Sequence, residues 1–286
     1  MKKENVDVKI KGLKDLPTLP TMLVECNKLL EDPNVSANQL AKIIKADQAV
    51  SSKVLKLVNS AFYGLSGKVG TISQGIVILG FSTVRNIILS LSVLDLLPKD
   101  ADLGEFDISD LWKHSLGCAI ISRVFAQRIG IKDPEEVFIA GLLHDIGKII
   151  IAKLFREEFV TILKTTHQEK KLFIDAERDV LGTTHDQIGG MLAKNWQLPA
   201  TLSESISFHH NGEKTMKHAK LVYTIKLADI VTRGLQIGSG GDRVIPEMNK
   251  TAWDTLNVSC NDIARWIDDL DEEFDRASAF FSGLSE

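Results

Sequence analysis

Five of the seven histidines sit at the edges of apolar segments, and several have a carboxylate within one helical turn. His144 and Asp145 follow Gly141-Leu-Leu and precede Ile146-Gly-Lys-Ile-Ile-Ile151, one of the most apolar runs of the chain. Ionised side chains are seldom fully buried unless they are paired or bind a metal. Asp110 and His114 stand four apart, on one face of an expected helix. His185 opens a helical segment and His209-His210 closes another. Asp229 interrupts Leu227-Ala-Asp-Ile-Val231 as Asp145 interrupts its own run. Imidazole nitrogens and carboxylate oxygens suit divalent or ferric ions of the iron, manganese, zinc and nickel class. His114, His144, Asp145, His185, His209, His210, Asp229 and Asp110 would suffice for one ion, or for two bridged by a carboxylate. A bound ion acidifies its water and polarises a phosphoryl oxygen. Lys148, one turn past Asp145, is placed to face a phosphate. Asp145 and Lys148 are thus the candidate catalytic pair.

Plainer readings stand beside this one. His185 alone fits a helix start. His209-His210 alone fits a helix C-terminus, where the dipole favours cationic His. An Asp in an apolar helix can pair with a Lys or Arg. His167 and His218 lie among Lys and Gln and read as solvated.

The elements that must carry these residues are helical almost throughout. Leu19, Met22, Cys26, Leu29 and Leu30 recur at three and four. Ser36/Gln39, Thr71/Gln74 and Thr184/Gln187 have the spacing of capping boxes. Asp47 reads as an N-cap. Gly80 ends one helix and Ser82 begins the next. Asp107 to Asp110 opens a helix reaching Gly130. In Asp133-Pro134-Glu135-Glu136, the Asp caps, the Pro fits the first turn and the acids suit the dipole. Further helices are expected at 184–195, 199–209 and 217–233, around Trp253, and from Asp262 to Phe281. Gly238-Ser-Gly-Gly-Asp242 reads as a flexible loop. Period-two alternation is scarce, so the fold class is all-α. Pro98, Gly104 and the acids from Asp95 to Glu105 mark a boundary. Two helical subdomains are expected, 1–104 and 105–286.

Composition excludes several classes. A net charge of −4 argues against a general nucleic-acid binder. Lys42, Lys45, Lys53 and Lys56, within a segment that could form a helix-turn-helix, are explained by a solvated helix face. Cys26, Cys118 and Cys260 form no CxxC pair, so no cysteine zinc site is signalled. The start has no apolar signal-peptide core, and no run reaches the ~20 apolar residues of a membrane span. A cytoplasmic protein without membrane contact is expected. Gly141 to Lys148 is not a Walker A loop, because Ile149 stands where Ser or Thr would bind magnesium.

The set His114, His144-Asp145 and Asp229 resembles the H…HD…D signature of the HD superfamily of metal-dependent phosphohydrolases. Leu16-Pro-Thr-Leu-Pro20, Ala46-Asp-Gln-Ala49, Leu57-Val-Asn-Ser-Ala-Phe-Tyr-Gly64 and Ile78-Leu-Gly80 resemble its HDOD branch, over about residues 13–282. The resemblance implies an N-terminal helical subdomain coupled to an HD-type one, in a bacterial signalling output module. Many members of that branch have lost HD ligands; this chain keeps them. His185, His209-His210 and Asp110 are similar in order to the second metal site of the HD-GYP branch, but Asn211-Gly-Glu-Lys-Thr215 replaces the GYP element. Two functions follow. One is a signalling module that holds a metal, contacts a protein partner through its N-terminal helices and takes a nucleotide or phosphate as ligand. The other is a metal-dependent phosphohydrolase or phosphodiesterase acting on a nucleotide or other phosphate ester.

Overall fold

A computed structural model describes residues 17–97, 103–104, 106–210 and 216–285. Among the described residues every regular element is a helix. Leu16, Pro98, Glu105 and the Asn211–Thr215 segment lie outside them.

The chain forms two compact units. One unit holds Leu19–Asp95 together with the chain from Ile267 onward. Its helices are α1 (Thr21–Leu30), α2 (Ala37–Lys45), α3 (Gln48–Val58), α4 (Ile72–Leu79), α5 (Phe81–Leu94) and, from the far end of the chain, α16 (Leu270–Ser285). The apolar stripe on α1 buries Leu23 and Cys26. Ser36 and Gln39 form the full reciprocal capping box of α2, and Asp47 caps α3. Thr71 caps α4, but the Gln74 side chain reaches the Gly70 backbone instead. Gly80, at φ +87°, ends α4 and directly begins α5, so Phe81 rather than Ser82 is the first helical residue. α16 packs on α3. The expected division at 104/105 thus differs from the packing in two respects. The chain changes unit after Asp95, and its last helix joins the N-terminal helices. A single cut along the sequence has no way to express that return.

The other unit comprises Leu96–Trp266, with Pro17 and Thr18. Its helices are α6 (Ile108–Ile129), α7 (Pro134–Leu143), α8 (Ile146–Leu154), α9 (Arg156–Glu169), α10 (Phe173–Val180), α11 (His185–Asn195), α12 (Ala200–Phe208), α13 (Ala219–Gly234), α14 (Lys250–Leu256) and α15 (Cys260–Ile267). Asp107 and Asp133 cap α6 and α7 as expected, and Gly130 ends α6 in the left-handed region. Thr184 does not cap α11: its hydroxyl goes to Asp186, and Thr183 takes the Gln187 side chain. The helix expected from Asp262 to Phe281 is broken between Ile267 and Leu270.

α6, α7 and α13 pack on one another, α12 lies against α7, and α11 bridges α12 and α8. His144 and Asp145 occupy the turn where α7 stops and α8 starts, not the body of either helix. Close approach of α8 to α11 depends on Gly147, where any Cβ would overlap the His185 carbonyl. The three cysteines are unpaired. Among the described residues no single helix is long and apolar enough to cross a membrane; α4 and α5 reach that composition only together, across a 117° bend.

Gly147→Ala forces α8 away from the α11 backbone. We expect a loss of about 2 kcal/mol or more in urea unfolding, with Asp145, which immediately precedes α8, and His185, which begins α11, moved apart in parallel.

Candidate metal centre

Five elements converge on one buried point. α6 supplies His114, the α7–α8 turn His144 and Asp145, the start of α11 His185, the end of α12 His209 and His210, and α13 Asp229. All are buried except His210, which is partly exposed. The α7–α8 break is what lets the adjacent His144 and Asp145 both face the cluster.

The side chains fall into two sets. His114, His144 and Asp229 offer one group of converging ligand atoms; Asp145, His185, His209 and His210 offer another. Asp145 belongs to both by geometry. Its Oδ2 lies 3.4 Å from His144 Nε2 and 3.6 Å from His114 Nε2. Its Oδ1 lies 3.1 Å from His185 Nε2 and 3.8 Å from His209 Nε2. His114 Nε2 also meets Asp229 Oδ1 at 3.1 Å. His185 Nε2 meets His210 Nε2 at 2.8 Å and His209 Nε2 at 3.3 Å.

The fit to a divalent cation can be read from these atoms. His114 Nε2, His144 Nε2 and Asp145 Oδ1 are buried without a proper hydrogen-bond partner. Burial of unpartnered polar atoms is costly, and these all point at the same place. Nitrogen and carboxylate oxygen donors in this number suit a divalent transition metal.

The far side of several ligands is also fixed. His144 Nδ1 lies 2.6 Å from the Gly141 carbonyl, and His209 Nδ1 3.0 Å from that of Ile206. Each ring therefore donates from Nδ1 and leaves Nε2 for the cluster. His185 Nδ1 lies 2.7 Å from Glu177 Oε2. Arg233 donates to Asp229 Oδ1 at 2.8 Å and to Asp242 Oδ1 at 2.7 Å.

Charge follows geometry. Burial alone would raise the Asp145 carboxyl, but His144 and Lys148 hold it well below the usual range. Burial likewise opposes ionised Asp229, and Arg233 and His114 reverse it. Burial opposes protonation of His185, yet Glu177 lifts the group to about 9. Burial, with His144 and His185 beside it, drives His209 down to about 3.

Two expected roles change. Asp110 is not in the cluster: its carboxylate is partly exposed and accepts a hydrogen bond from Lys113 at 2.8 Å. Sharing a face with His114 was insufficient, because the short side chain leaves the helix one turn too early to reach the cluster. Lys148 is 1% exposed, donating to Asp145 Oδ2 at 2.7 Å and to the Gly240 carbonyl at 2.9 Å. It neutralises the Asp145 carboxylate rather than facing open space. The Gly238–Asp242 segment, expected to be a loose loop, is tied down: Ser239 donates to the Asp110 carbonyl, and Asp242 accepts from Arg233 and from the Phe173 backbone.

Glu177, Arg233 and Asp242 escaped the sequence reading. Glu177 carried the same signal as Asp229, a carboxylate on an apolar helical stripe. Arg233 stands four after Asp229, the spacing of a helical ion pair.

A family model of the HDOD domain matches residues 16–212. The chain belongs to the HDOD family. Asp229, Arg233 and Asp242 lie beyond the matched segment. Among solved structures, an HDOD domain protein of unknown function from Geobacter sulfurreducens is 28% identical, with a TM-score of 0.78 over 97% of this chain and 96% of that one. A Shewanella amazonensis SB2B protein, described provisionally as a phosphohydrolase, is 25% identical, with a TM-score of 0.73 over 98% and 97%. An uncharacterized protein of Treponema pallidum (strain Nichols) is 28% identical over 77% of this chain and 43% of its own length. The uncharacterized protein YuxH of Bacillus subtilis (strain 168) is 28% identical over 54% of this chain and 34% of its own. This HDOD chain thus spans less than half the length of the curated relatives it matches.

In chelator-treated protein, His185 binds a proton more tightly folded than unfolded, since its value rises from 6.5 to about 9. The stabilisation is complete below 6.5 and is lost as pH climbs through 9. Thermal melts should therefore fall between pH 6.5 and 9, and His185→Gln should flatten that fall.

Proposed function

We propose that this chain is a cytoplasmic, metal-holding HDOD signalling module. Its two half-sites take a pair of divalent ions, joined through Asp145, together with a phosphate-bearing ligand. The single observation that carries the reading is the Asp145 carboxylate, with one oxygen turned to His114 and His144 and the other to His185 and His209.

Charge supports an anionic ligand. Two divalent ions added to the buried Lys148 and Arg233 overbalance the carboxylates of Asp145, Asp229, Asp242 and Glu177. A phosphate or nucleotide restores neutrality. Divalent ions in this setting supply Lewis acidity toward a phosphoryl oxygen. His114, His144, Asp145 and Asp229 would hold one; Asp145, His185, His209 and His210 would hold the other. Lys148 and Arg233 keep the two carboxylates ionised and aimed.

Burial favours a binding module over an enzyme. A turnover site must keep an open position that admits substrate and releases product at every cycle, whereas a retained ligand has to enter only once. Here only His210 has appreciable exposure, and Gly240 covers the Lys148 ammonium. A protein partner at the N-terminal helices is supported by exposed apolar side chains in that unit, Val24, Val77 and Ile78, the second 74% exposed.

The complete donor set favours the second reading, a metal-dependent phosphohydrolase. One series separates the two. We expect elemental analysis to find up to two equivalents of divalent ion per chain, reduced by His144→Ala and by His185→Ala. Calorimetry should then show inorganic phosphate binding only to the loaded protein, with no release of nitrophenol from aryl phosphate mono- or diesters. Metal-dependent release would move the chain to the hydrolase reading. Wild type free of metal after metal-replete growth would defeat both.

A further inference from the structure

Glu177 is fully buried in α10, beside Ala176 and Ile174, and among the described residues no Lys or Arg is bonded to it. A carboxylate in that position requires a partner, and among the described residues that partner is His185. Glu177 Oε2 lies 2.7 Å from His185 Nδ1 and accepts the His185 backbone N–H at 3.0 Å. One oxygen therefore pins both the ring and the helix start that carries it. Since a carboxylate only accepts, Nδ1 keeps its proton and Nε2 is the atom left to bind. Nε2 is also the atom at the centre of its half-site, within 3.3 Å of Asp145 Oδ1, His209 Nε2 and His210 Nε2.

The ligands differ in what stands behind them, and of the rings of His144, His185 and His209 only that of His185 is backed by a side-chain carboxylate. His144 and His209 donate to backbone carbonyls, which are dipoles. His185 donates to a full negative charge, which makes its free nitrogen a better donor to a cation. In the other half, the oxygens that an ion would use are already engaged. Asp145 Oδ2 accepts from Lys148 at 2.7 Å, and Asp229 Oδ1 from Arg233 at 2.8 Å. An ion there shares both carboxylates with a buried cation, and like charges at such range repel strongly.

We infer that Glu177 is a positioning residue that makes His185, His209 and His210 the tighter half-site, so that this half fills first and the His114–His144–Asp229 half second. The inference rests on the metal-holding reading and adds an order and a cause to it. The weaker half is then the one whose occupancy responds to conditions, because Lys148 and Arg233 compete with the ion there.

The test is stepwise Mn2+ titration of the chelator-stripped full chain by calorimetry. Wild type should bind in two resolved steps. Glu177→Gln, which keeps an accepting oxygen but loses the charge, should weaken the tight step roughly 10–100-fold and leave the weak step in place. Long-range proton–nitrogen NMR adds a readout that a merely structural role would not move. Above pH 9, where the stripped wild-type ring is neutral, the His185 proton should sit on Nδ1; in Glu177→Met, which offers no acceptor, it should shift toward Nε2. If Glu177→Met does not fold, the near-isosteric Glu177→Gln decides alone. Both steps unchanged, or both weakened equally, would overturn the role of Glu177 while leaving the metal centre standing. Two indistinguishable steps in wild type would overturn the order of filling. No Mn2+ binding by wild type would overturn the metal reading, and this inference with it.

Discussion

A buried carboxylate with no access to solvent is the constraint on which this unit is built. Asp145 is about as buried as the leucines around it, and desolvating its charge costs several kcal/mol unless cations surround it. Lys148 contributes one, three residues along α8. His144 and His185, whose rings are held protonated beside it, contribute two more, and the neutral rings of His114 and His209 close round it. No single helix could provide them, so α6, α7, α8, α11 and α12 must converge. The packing around the α7–α8 turn follows from that electrostatic requirement as much as from apolar burial.

Several local features make sense only in that light. The chain breaks helix at His144 and Asp145, which turns two adjacent side chains toward one point. Gly147 brings α8 against the start of α11. The Gly238–Asp242 segment folds back so that its carbonyl and carboxylate oxygens receive Lys148 and Arg233. Half-satisfied polar networks are worse than apolar cores. Here most surrounding partners are present, and the leftover atoms of His114, His144 and Asp145 converge on the centre. A cation would complete the network and offset the repulsion among the three close Nε2 atoms of His185, His209 and His210.

Family membership and geometry speak to different questions. The match over residues 16–212 accounts for the N-terminal helices and the ligands up to His210. It stops short of α13, which carries Asp229 and Arg233, and of Asp242. The partners of Asp229 and of Lys148, namely Arg233 and the Gly240 carbonyl, therefore lie beyond the family match.

Much of this was legible in the amino-acid sequence. Helical periodicity, the Ser36/Gln39 box and the Asp107 and Asp133 caps are local properties, set by side chains reaching backbone within one turn. Asp145 and Asp229 announced themselves because a carboxylate on an apolar stripe is costly wherever the stripe is buried. Other features were not local. Thr184 had the spacing of a cap but found Asp186 instead. Asp110 shared a helix face with His114 yet points to Lys113. α16 returns to the N-terminal helices across most of the chain. Glu177 and His185 are eight apart on different helices. The sequence by itself determined which residues needed partners, because desolvation cost is a property of residue type and apolar context. Only the tertiary structure decided who those partners are, because pairing depends on where separate helices bring their ends together.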